Sequence, residues 1–555
     1  MLKLLEIRGF RSFSQESFQK IEMQPFTVIV GENDTGKSNV LKAVQFALDP
    51  SAENITKEDF NIRKSRLRSG KIGDKKASQI TIKLHFTDRH KLLPRKYQRK
   101  SYHRNGDSFV IKCVVSGHDK NSYKKKYSLN EKKIGGGSVG LLLSRIKCFI
   151  TPSIRDVNHL NELKEILPIE TRAGITQAVK NIRSVVKQKM KKQEALIKEA
   201  TDSEKAVIDP ILQSEEVLKI LDFDFSIIKD GIPIHLKSHG QGMISKIILS
   251  MFLKRGRKFL VGIEEPEIHL HPNLMREMIS DCEKMTKKGT QIIIVTHSPY
   301  FLNFISTKNI LVCRKYNKYT KVYPLTSFPP EIATKIEGDI FLNRQKTEIL
   351  FAKGAILVEG PYDRRVFTAI DSKEKIRIFE DGISLIDVGG CGSFAIYIEL
   401  CLKSEIPWVI IGDKTAFCSQ TNRKGPVLEA IECYVDDQTV TNLINKIRTN
   451  KACKKELKAI NDQLKNKKGA IFNLSGDDIS ATIVAILKKK NDNILYKTLY
   501  MQFGGSDRES DIAKIKNSVE DTIKRRKDEM VQAVQSINKP NELERVLKHA
   551  KRTLV

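Results

Sequence analysis

Apolar and polar positions alternate twice near the start of the chain, at Leu2, Leu4 and Ile7 and again at Phe26, Val28 and Val30. A period of two puts alternate side chains on one face of a strand, so two strands are predicted within the first thirty residues. The same alternation at Ile80, Ile82, Leu84 and Phe86, and in the run from Phe109 to Val115, predicts a β-rich lobe. Between residues 157 and 222 the period changes. Ile175, Val179, Ile182, Val185 and Val186 recur at helical spacing, with only Pro168 and Pro210 as breakers, which predicts a helical arm or dimer surface. Apolar runs return at 259–263, 291–295, 355–358 and 408–411 and lead into polar or acidic residues. Such runs read as buried strands of an open α/β sheet, where ligands bind at the C-terminal strand ends.

At roughly 100–200 residues per domain, 555 residues allow three or four domains, and 40% hydrophobic content supplies a core for each. That composition excludes a disordered basic tail as the main feature. No stretch approaches the ~18 apolar residues of a membrane span, and Glu6 and Arg8 interrupt the start where a signal peptide needs an apolar block. The expectation is a cytoplasmic protein with no membrane contact. Nine cysteines without a CxxC pair fit neither a disulfide framework nor a zinc cage and read as reduced, buried thiols.

The formal net charge is +31, and it is concentrated. Residues 61–140 carry 22 Lys and Arg against 5 Asp and Glu, and residues 441–555 carry 25 against 14. A run such as Lys124, Lys125 and Lys126 can be no more than a solvated face, and so can Lys524 to Lys527. Two separate basic regions nevertheless favour a polyanion, with DNA the leading partner, because each neutralised phosphate releases counterions.

Residues 31–38, Gly-Glu-Asn-Asp-Thr-Gly-Lys-Ser, fit GxxxxGK[ST] between a predicted strand and a predicted helix. Backbone N–H groups of such a loop cradle phosphate oxygens, Lys37 reaches the β- and γ-phosphates, and Ser38 holds Mg²⁺. ATP is therefore expected, contacted by Gly31, Asn33, Gly36, Lys37, Ser38 and Asn39. The run from Phe259 ends in Glu264 and Glu265. Adjacent acids at a strand tip face opposite ways, so Glu264 is the candidate on the metal side and Glu265 the candidate general base. After the run 291–295 comes Thr296-His297-Ser298-Pro299, where His297 is a candidate γ-phosphate contact.

These motifs, preceded by Ile7, Gly9, Phe10, Arg11 and Phe13, resemble the ATP-binding cassette ATPases of the SMC, RecF and OLD (overcoming lysogenization defect) type. The resemblance implies paired heads that sandwich nucleotide between one P-loop and the other head's signature loop. Ser238, Gly240 and Gln241 stand where that signature belongs. In the second half, Ile349 to Asp363 resembles the start of the Toprim domain of OLD nucleases, with Glu359 after a strand and Asp363 four residues on. Val388-Gly389-Gly390 resembles the second Toprim element, and Gly412-Asp413 holds the place of the Asp-x-Asp motif. Asp413-Lys414-Thr415 replaces the second acid of that motif by threonine, while Asp477 and Asp478 follow in a later acidic turn. As metal ligands the resemblance implies Glu359, Asp363, Asp413 and Asp478 for Mg²⁺ or Mn²⁺. Carboxylate oxygens suit such hard cations in phosphodiester hydrolysis.

The fold class expected is therefore α/β: an ABC-type ATPase head with a β-rich lobe and helical dimerisation arm, then a Toprim domain and a helical C-terminal region. The boundaries expected are 1–156, 157–225 (arm), 226–345, 346–480 (Toprim) and 481–555. Glu265, His297, Glu359 and Asp413 are the candidate catalytic residues. The function implied is a metal-dependent DNA endonuclease governed by its ATPase part. The chain would form a homodimer or higher homo-oligomer through heads and arm, in bacterial anti-phage defence of the Gabija A-like or retron-associated kind, with a possible protein or nucleic-acid partner from the same system. The alternative is a RecF- or SMC-like DNA-binding ATPase with an inactive Toprim domain. A pure recruiting module, with both sites vestigial, is disfavoured by intact Lys37 and Glu265.

Overall fold

The computed structural model describes residues 1–49, 55–61, 79–87, 108–117, most of 123–151, 260–316 without residue 269, 318–412, 414–418, 424–448, 454–473, 512–525, 529–536 and 542–554. It also describes the backbone of 226–229 and 232–235 and a few isolated positions. The chain divides into one unit of Met1–Cys148 with Ile293–Val555, and a second of Phe149–Ile292.

Among the described residues, strands of the first unit take part in three sheets. The lobe sheet is antiparallel, built from β1 (Leu2–Arg8), β2 (Gln19–Glu22), β4 (Gln79–Phe86), β5 (Phe109–Gly117), β6 (Tyr123–Leu129) and β7 (Lys132–Ile134), in the order β2-β1-β4-β5-β6-β7. In β4 the alternation is visible as burial: Ile80, Ile82, Leu84 and Phe86 face inward, opposite Val115, Cys113, Ile111 and Phe109 of β5. A second sheet has β3 (Phe26–Gly31) at its centre, between β12 (Gln291–Val295) and β13 (Ile310–Tyr316), with β14 (Tyr319–Pro324) outside β13. Every residue of β3 is buried, and β3 runs parallel to β13, as expected of a strand covered on both faces. α1 (Lys37–Leu48) follows the loop after β3 and buries Val40, Leu41, Val44 and Leu48 against the lobe side.

Of the basic run on β6, Lys124 and Lys126 are exposed but Lys125 serves the fold. Its ammonium donates to Phe46 O (3.0 Å) and Asp49 O (2.8 Å) at the end of α1 and lies over the Phe46 ring. α1 has no basic residue in its own last turn, so this lysine satisfies the carbonyls left open there. Burial lowers its pKa.

The third sheet, β16-β15-β17-β18, is wholly parallel: β15 (Gly354–Val358), β16 (Ile383–Asp387), β17 (Trp408–Gly412) and β18 (Gly469–Asn473). α3 (Pro330–Lys335) precedes this sheet and α6 (Phe394–Ser404) lies between β16 and β17; α5 (Pro361–Glu374) packs on one face of the sheet with three C-terminal helices, α7 (Ile512–Arg525), α8 (Glu529–Ser536) and α9 (Glu542–Leu554). Ile515, Val519, Ile523, Val534, Leu543 and Leu547 share a core with Ile356, Val358, Val366 and Phe367. The periodic apolar face of the C-terminal segment is thus spent on the Toprim sheet, while Lys514, Lys524, Arg545 and Arg552 of the same helices are exposed. Residues 474–511, apart from Leu499, lie outside the described residues.

In the second unit, β9 (Ser226–Lys229) and β10 (Ile232–His235) form an antiparallel hairpin, and β11 (Leu260–Glu264) stands beside β8 (Cys148–Thr151). α2 (Pro272–Lys287) is capped by His271, whose ring accepts from Asn273 N–H. The arm of 157–222 lies outside the described residues except at the helical positions Gln177, Asn181 and Ser184.

Every described cysteine is a free thiol. Burial pushes Cys113 up to about 11 and Cys313 to about 12, so neither forms thiolate at neutral pH. Titration of the native protein with an aromatic disulfide at pH 8 is expected to modify the exposed Cys433 at once. Cys113, Cys282, Cys313 and Cys401 should react only on denaturation; their modification in the native protein would contradict the packing.

Candidate active site

The phosphate loop is shaped by close approach. Gly31 ends β3, and a Cβ there would fall 2.2 Å from Cys313 O. Gly36 has φ +91°, and a Cβ there would fall 2.2 Å from Thr320 Oγ1 and 2.4 Å from Ser12 Oγ. Only glycine meets both demands. Lys37 is 4% exposed, and its ammonium donates to Gly31 O (3.0 Å) and Glu32 O (2.6 Å), which holds it across the mouth of the loop. Asn33 and Asp34 are exposed at the loop tip, and Ser38 is half-buried one residue into α1.

Two residues that the motif does not contain brace this loop. Thr320 Oγ1 lies 2.6 Å from Thr35 O and 2.7 Å from Ser12 Oγ, and its N–H donates to Ser12 O. Asn39 Nδ2 donates to the same Ser12 Oγ at 2.9 Å, so its amide anchors the loop to the segment after β1. Ser12 sits within the Gly9–Phe13 motif and was therefore within reach of sequence reasoning. Thr320, 285 positions from Thr35, carried no local signal. His297 lies at the same strand edge: Thr296 N–H, one residue earlier, donates to Ile29 O of β3, and Ser298 N–H to Thr296 Oγ1.

In the second unit Glu264 is the last residue of β11 and Glu265 the first after it, both half-buried. Glu265 has φ +44°. A left-handed backbone costs a non-glycine residue on the order of 1 kcal/mol or more and is concentrated at functional sites.

The first unit's parallel sheet presents a second set. β15 delivers Glu359 directly after Val358, and Gly360 with Pro361 opens α5. Asp363 Oδ2 accepts Gly360 N–H at 2.8 Å, so this carboxylate caps the helix. The Gly389–Gly390 turn follows β16, with φ +82° and +120°, and Gly390 N–H donates to Glu359 O at 2.8 Å. Val358 pairs with Asp387 on one side and Ile411 on the other, so Glu359, Asp387 and the end of β17 at Gly412 stand along one edge. Asp387 is an acid that the sequence reading passed over, although it ends an apolar run just before the glycine pair. Among the described residues no three His, Cys, Asp or Glu side chains form a metal cluster.

A cassette-type phosphate loop and a Toprim strand edge in one chain, in that order, agree with what family models find. Residues 26–303, half of the chain, match the AAA domain described as putative AbiEii toxin, Type IV TA system, and residues 350–414 match the Toprim domain of overcoming lysogenization defect protein-like chains. The chain belongs to the family of that AAA domain and carries an OLD-like Toprim domain. It is similar to the OLD nuclease of Thermus scotoductus, 23% identical across 75% of this chain and 82% of that one. It is also similar to endonuclease GajA of Bacillus cereus, 24% identical across 70% of each chain, and to the Old nuclease of Escherichia phage P2, 22% identical across 81% and 82%. A solved Smc head domain from Pyrococcus furiosus aligns with a TM-score of 0.38 at 15% identity, over 60% of this chain and 98% of that one.

The fold of this chain is α/β, an ATPase head with mixed sheets, a Toprim domain and helices. Of the OLD-type acids, Glu359 and Asp363 are placed as described; Asp413, Asp477 and Asp478 lie outside the described residues, as do the side chains of Lys414 and Thr415. The signature candidates Ser238, Gly240 and Gln241 lie outside them too. No described helix is long and apolar enough to cross a membrane.

The ATPase and Toprim parts of the first unit are tied by Arg314 of β13. It is 6% exposed, and its guanidinium reaches Ala352 O and, at 2.8 Å, Lys353 O, just before β15. Burial lowers its pKa, while Glu32 favours the charge. Arg314→Met leaves two inward carbonyls without their donor, and thermal unfolding should show a loss of about 2–4 kcal/mol. An unchanged midpoint would mean that the two carbonyls are satisfied some other way.

Proposed function

We propose that this protein is a metal-dependent DNA endonuclease whose Toprim site is governed by nucleotide at its ATPase head. The observation that carries this is the delivery of Glu359 to the C-terminal edge of a wholly parallel sheet, beside the strand that ends at Gly412, in the same unit as an intact phosphate loop. The relatives named OLD nuclease and endonuclease GajA support the same reading.

ATP phosphates fit the cradle of Gly31 to Ser38, where any Cβ at Gly36 would collide with the brace. Lys37 would exchange its carbonyl partners for phosphate oxygens, with Asn33, Ser38 and Asn39 around it and Ser238, Gly240 and Gln241 contributed by a second head. Glu264 would hold the metal side, Glu265 act as base and His297 contact the γ-phosphate. At the Toprim edge the donors would be hard carboxylate oxygens, a chemistry that fits Mg²⁺ or Mn²⁺: Glu359, Asp363, Asp413 and Asp478. What the metal supplies there is a water of lowered pKa and neutralisation of the departing oxyanion. The chain's own contribution is to hold Glu359 rigid through Gly390 N–H and to turn the strand edge toward DNA. The assembly proposed is a homodimer or larger through the heads and the 157–225 arm, cytoplasmic, in bacterial defence. The domain limits proposed are those at 156, 225, 345 and 480, with the helices after 511 completing the Toprim core.

Supercoiled plasmid with Mg²⁺ or Mn²⁺, with and without ATP, tests the reading beside Glu359→Ala and Lys37→Ala. Cutting that disappears in Glu359→Ala supports it. DNA binding without cuts under any metal favours the second reading, an ATPase with a silent Toprim domain, for which Asp413-Lys414-Thr415 speaks.

A further inference from the structure

One helical turn, α4 (Arg344–Thr347), separates the segment after His297 from the Toprim edge. Asn343 Oδ1 caps it, accepting Gln345 N–H (3.0 Å) and Lys346 N–H (3.4 Å). The fully buried Thr347 ties it down through Ile340 O and Asn343 O. Three consecutive side chains then leave this fixed turn in different directions. Arg344 lies over the ring of Tyr300, three residues beyond His297, at 5.0 Å. Gln345 Oε1 accepts from Arg364 Nη1 at 2.8 Å, while Arg364 Nε donates to Leu385 O of β16. Lys346 points at the glycine turn, its Nζ only 3.1 Å from where a Cβ on Gly389 would stand.

That turn is the one whose next N–H holds Glu359 O. Lys346 is half-buried, and its ammonium has, among the described residues, neither a hydrogen bond nor an ion pair. Other enclosed lysines of this chain are spent on acceptors: Lys37 on loop carbonyls, Lys125 on the end of α1, Lys551 on Asp381. A cation held by a rigid turn, unspent, and beside the acid of a site that receives a polyanion is placed for a phosphate oxygen. The side chain absent at Gly389 leaves it the room, and beside Gly390 there is open space within 4 Å of where a Cβ would stand.

We propose that Lys346 is a substrate-binding residue of the nuclease site, its ammonium contacting a non-bridging oxygen of the DNA phosphodiester to be cut. This rests on the nuclease reading above, and the experiment separates the two. Full-length wild type, Lys346→Ala, Lys346→Arg and Glu359→Ala are compared for plasmid cleavage in Mg²⁺ or Mn²⁺. Affinity for a fluorescent duplex in EDTA is measured across a salt series. Lys346→Ala should cut about 10²-fold or more slowly at saturating DNA. Its plot of log affinity against log salt should be shallower by about one counterion, and Lys346→Arg should recover most of both. A wild-type rate and slope in Lys346→Ala would overturn the proposal. So would a loss that arginine does not restore and that comes with a lowered melting temperature, which would make Lys346 structural. If Glu359→Ala cuts like the wild type, the nuclease reading falls alone, and the salt slope still decides whether Lys346 meets a phosphate.

Discussion

Glu359→Ala is expected to abolish metal-dependent cleavage, by about 10³-fold or more, while leaving DNA affinity and ATP binding near wild type. The side chain follows Val358, buried between β16 and β17, and its backbone carbonyl is held by Gly390 N–H, so its position is set by the sheet. Alanine keeps this backbone contact, so the fold should survive the change. What is lost is one hard oxygen donor at the point where negative charge develops, and removal of one such electrostatic contact costs about 10²–10³ in rate before any loss of metal is counted. The measurement is single-turnover cleavage beside calorimetric titration with Mn²⁺. Retained cleavage would place the chemistry elsewhere in the chain and end the Toprim reading. Lost Mn²⁺ binding together with lost cleavage would tie the acid to the metal.

The second large effect belongs to Lys37. Lys37→Ala should weaken ATP binding by about 10²-fold, the equivalent of about 2.7 kcal/mol, in line with loss of charge-assisted bonds to phosphate oxygens. Because Lys37 is enclosed and satisfies Gly31 O and Glu32 O, alanine also leaves these loop carbonyls without their donor, so Lys37→Arg is the better-folded companion. Equilibrium binding of a fluorescent ATP analogue checks the first effect. Plasmid cleavage checks the second: if nucleotide governs the Toprim site, Lys37→Ala should cut DNA at one rate whether or not ATP is present. A variant that still responds to ATP would show that control does not pass through this loop. The physical route for such control lies within one unit. Thr320 touches the phosphate loop on the strand paired with β13, Arg314 of β13 holds the segment before β15, and Lys353 of that segment lies 4.0 Å from Glu32 of the loop. An effector acts only through contacts that differ between two states, and among the described residues these contacts link the phosphate loop to the segment before β15.

The sequence by itself determined the elements and the acids at their ends. Period-two patterning marked β1, β3, β4 and β5, solid apolar runs marked β11, β12, β15 and β17, and the residues following these strands named the phosphate loop, Glu265, His297 and Glu359. These are local properties, since a buried parallel strand needs continuous apolar residues and a phosphate loop needs its glycines at fixed spacing. Tertiary structure alone decided which polar side chains were already spent. Lys125 could not be told from Lys124 and Lys126 until β6 was laid beside the end of α1. Asn39 and Ser12 became a brace only when Thr320 arrived from the far side of β13, and Asp363 gave one oxygen to Gly360 N–H because α5 starts where it does. The helices after residue 511, basic and separate in sequence, proved to close the Toprim core, because their apolar stripe needed a sheet to cover. Among many lysines, only the placement of α4 against Gly389 singled out Lys346. Charge and periodicity are written along the chain, but the partner that consumes a charge, or leaves it for a ligand, is fixed by contacts that the sequence pattern does not mark, from 76 residues apart for Lys125 and Asp49 to 308 for Thr320 and Ser12.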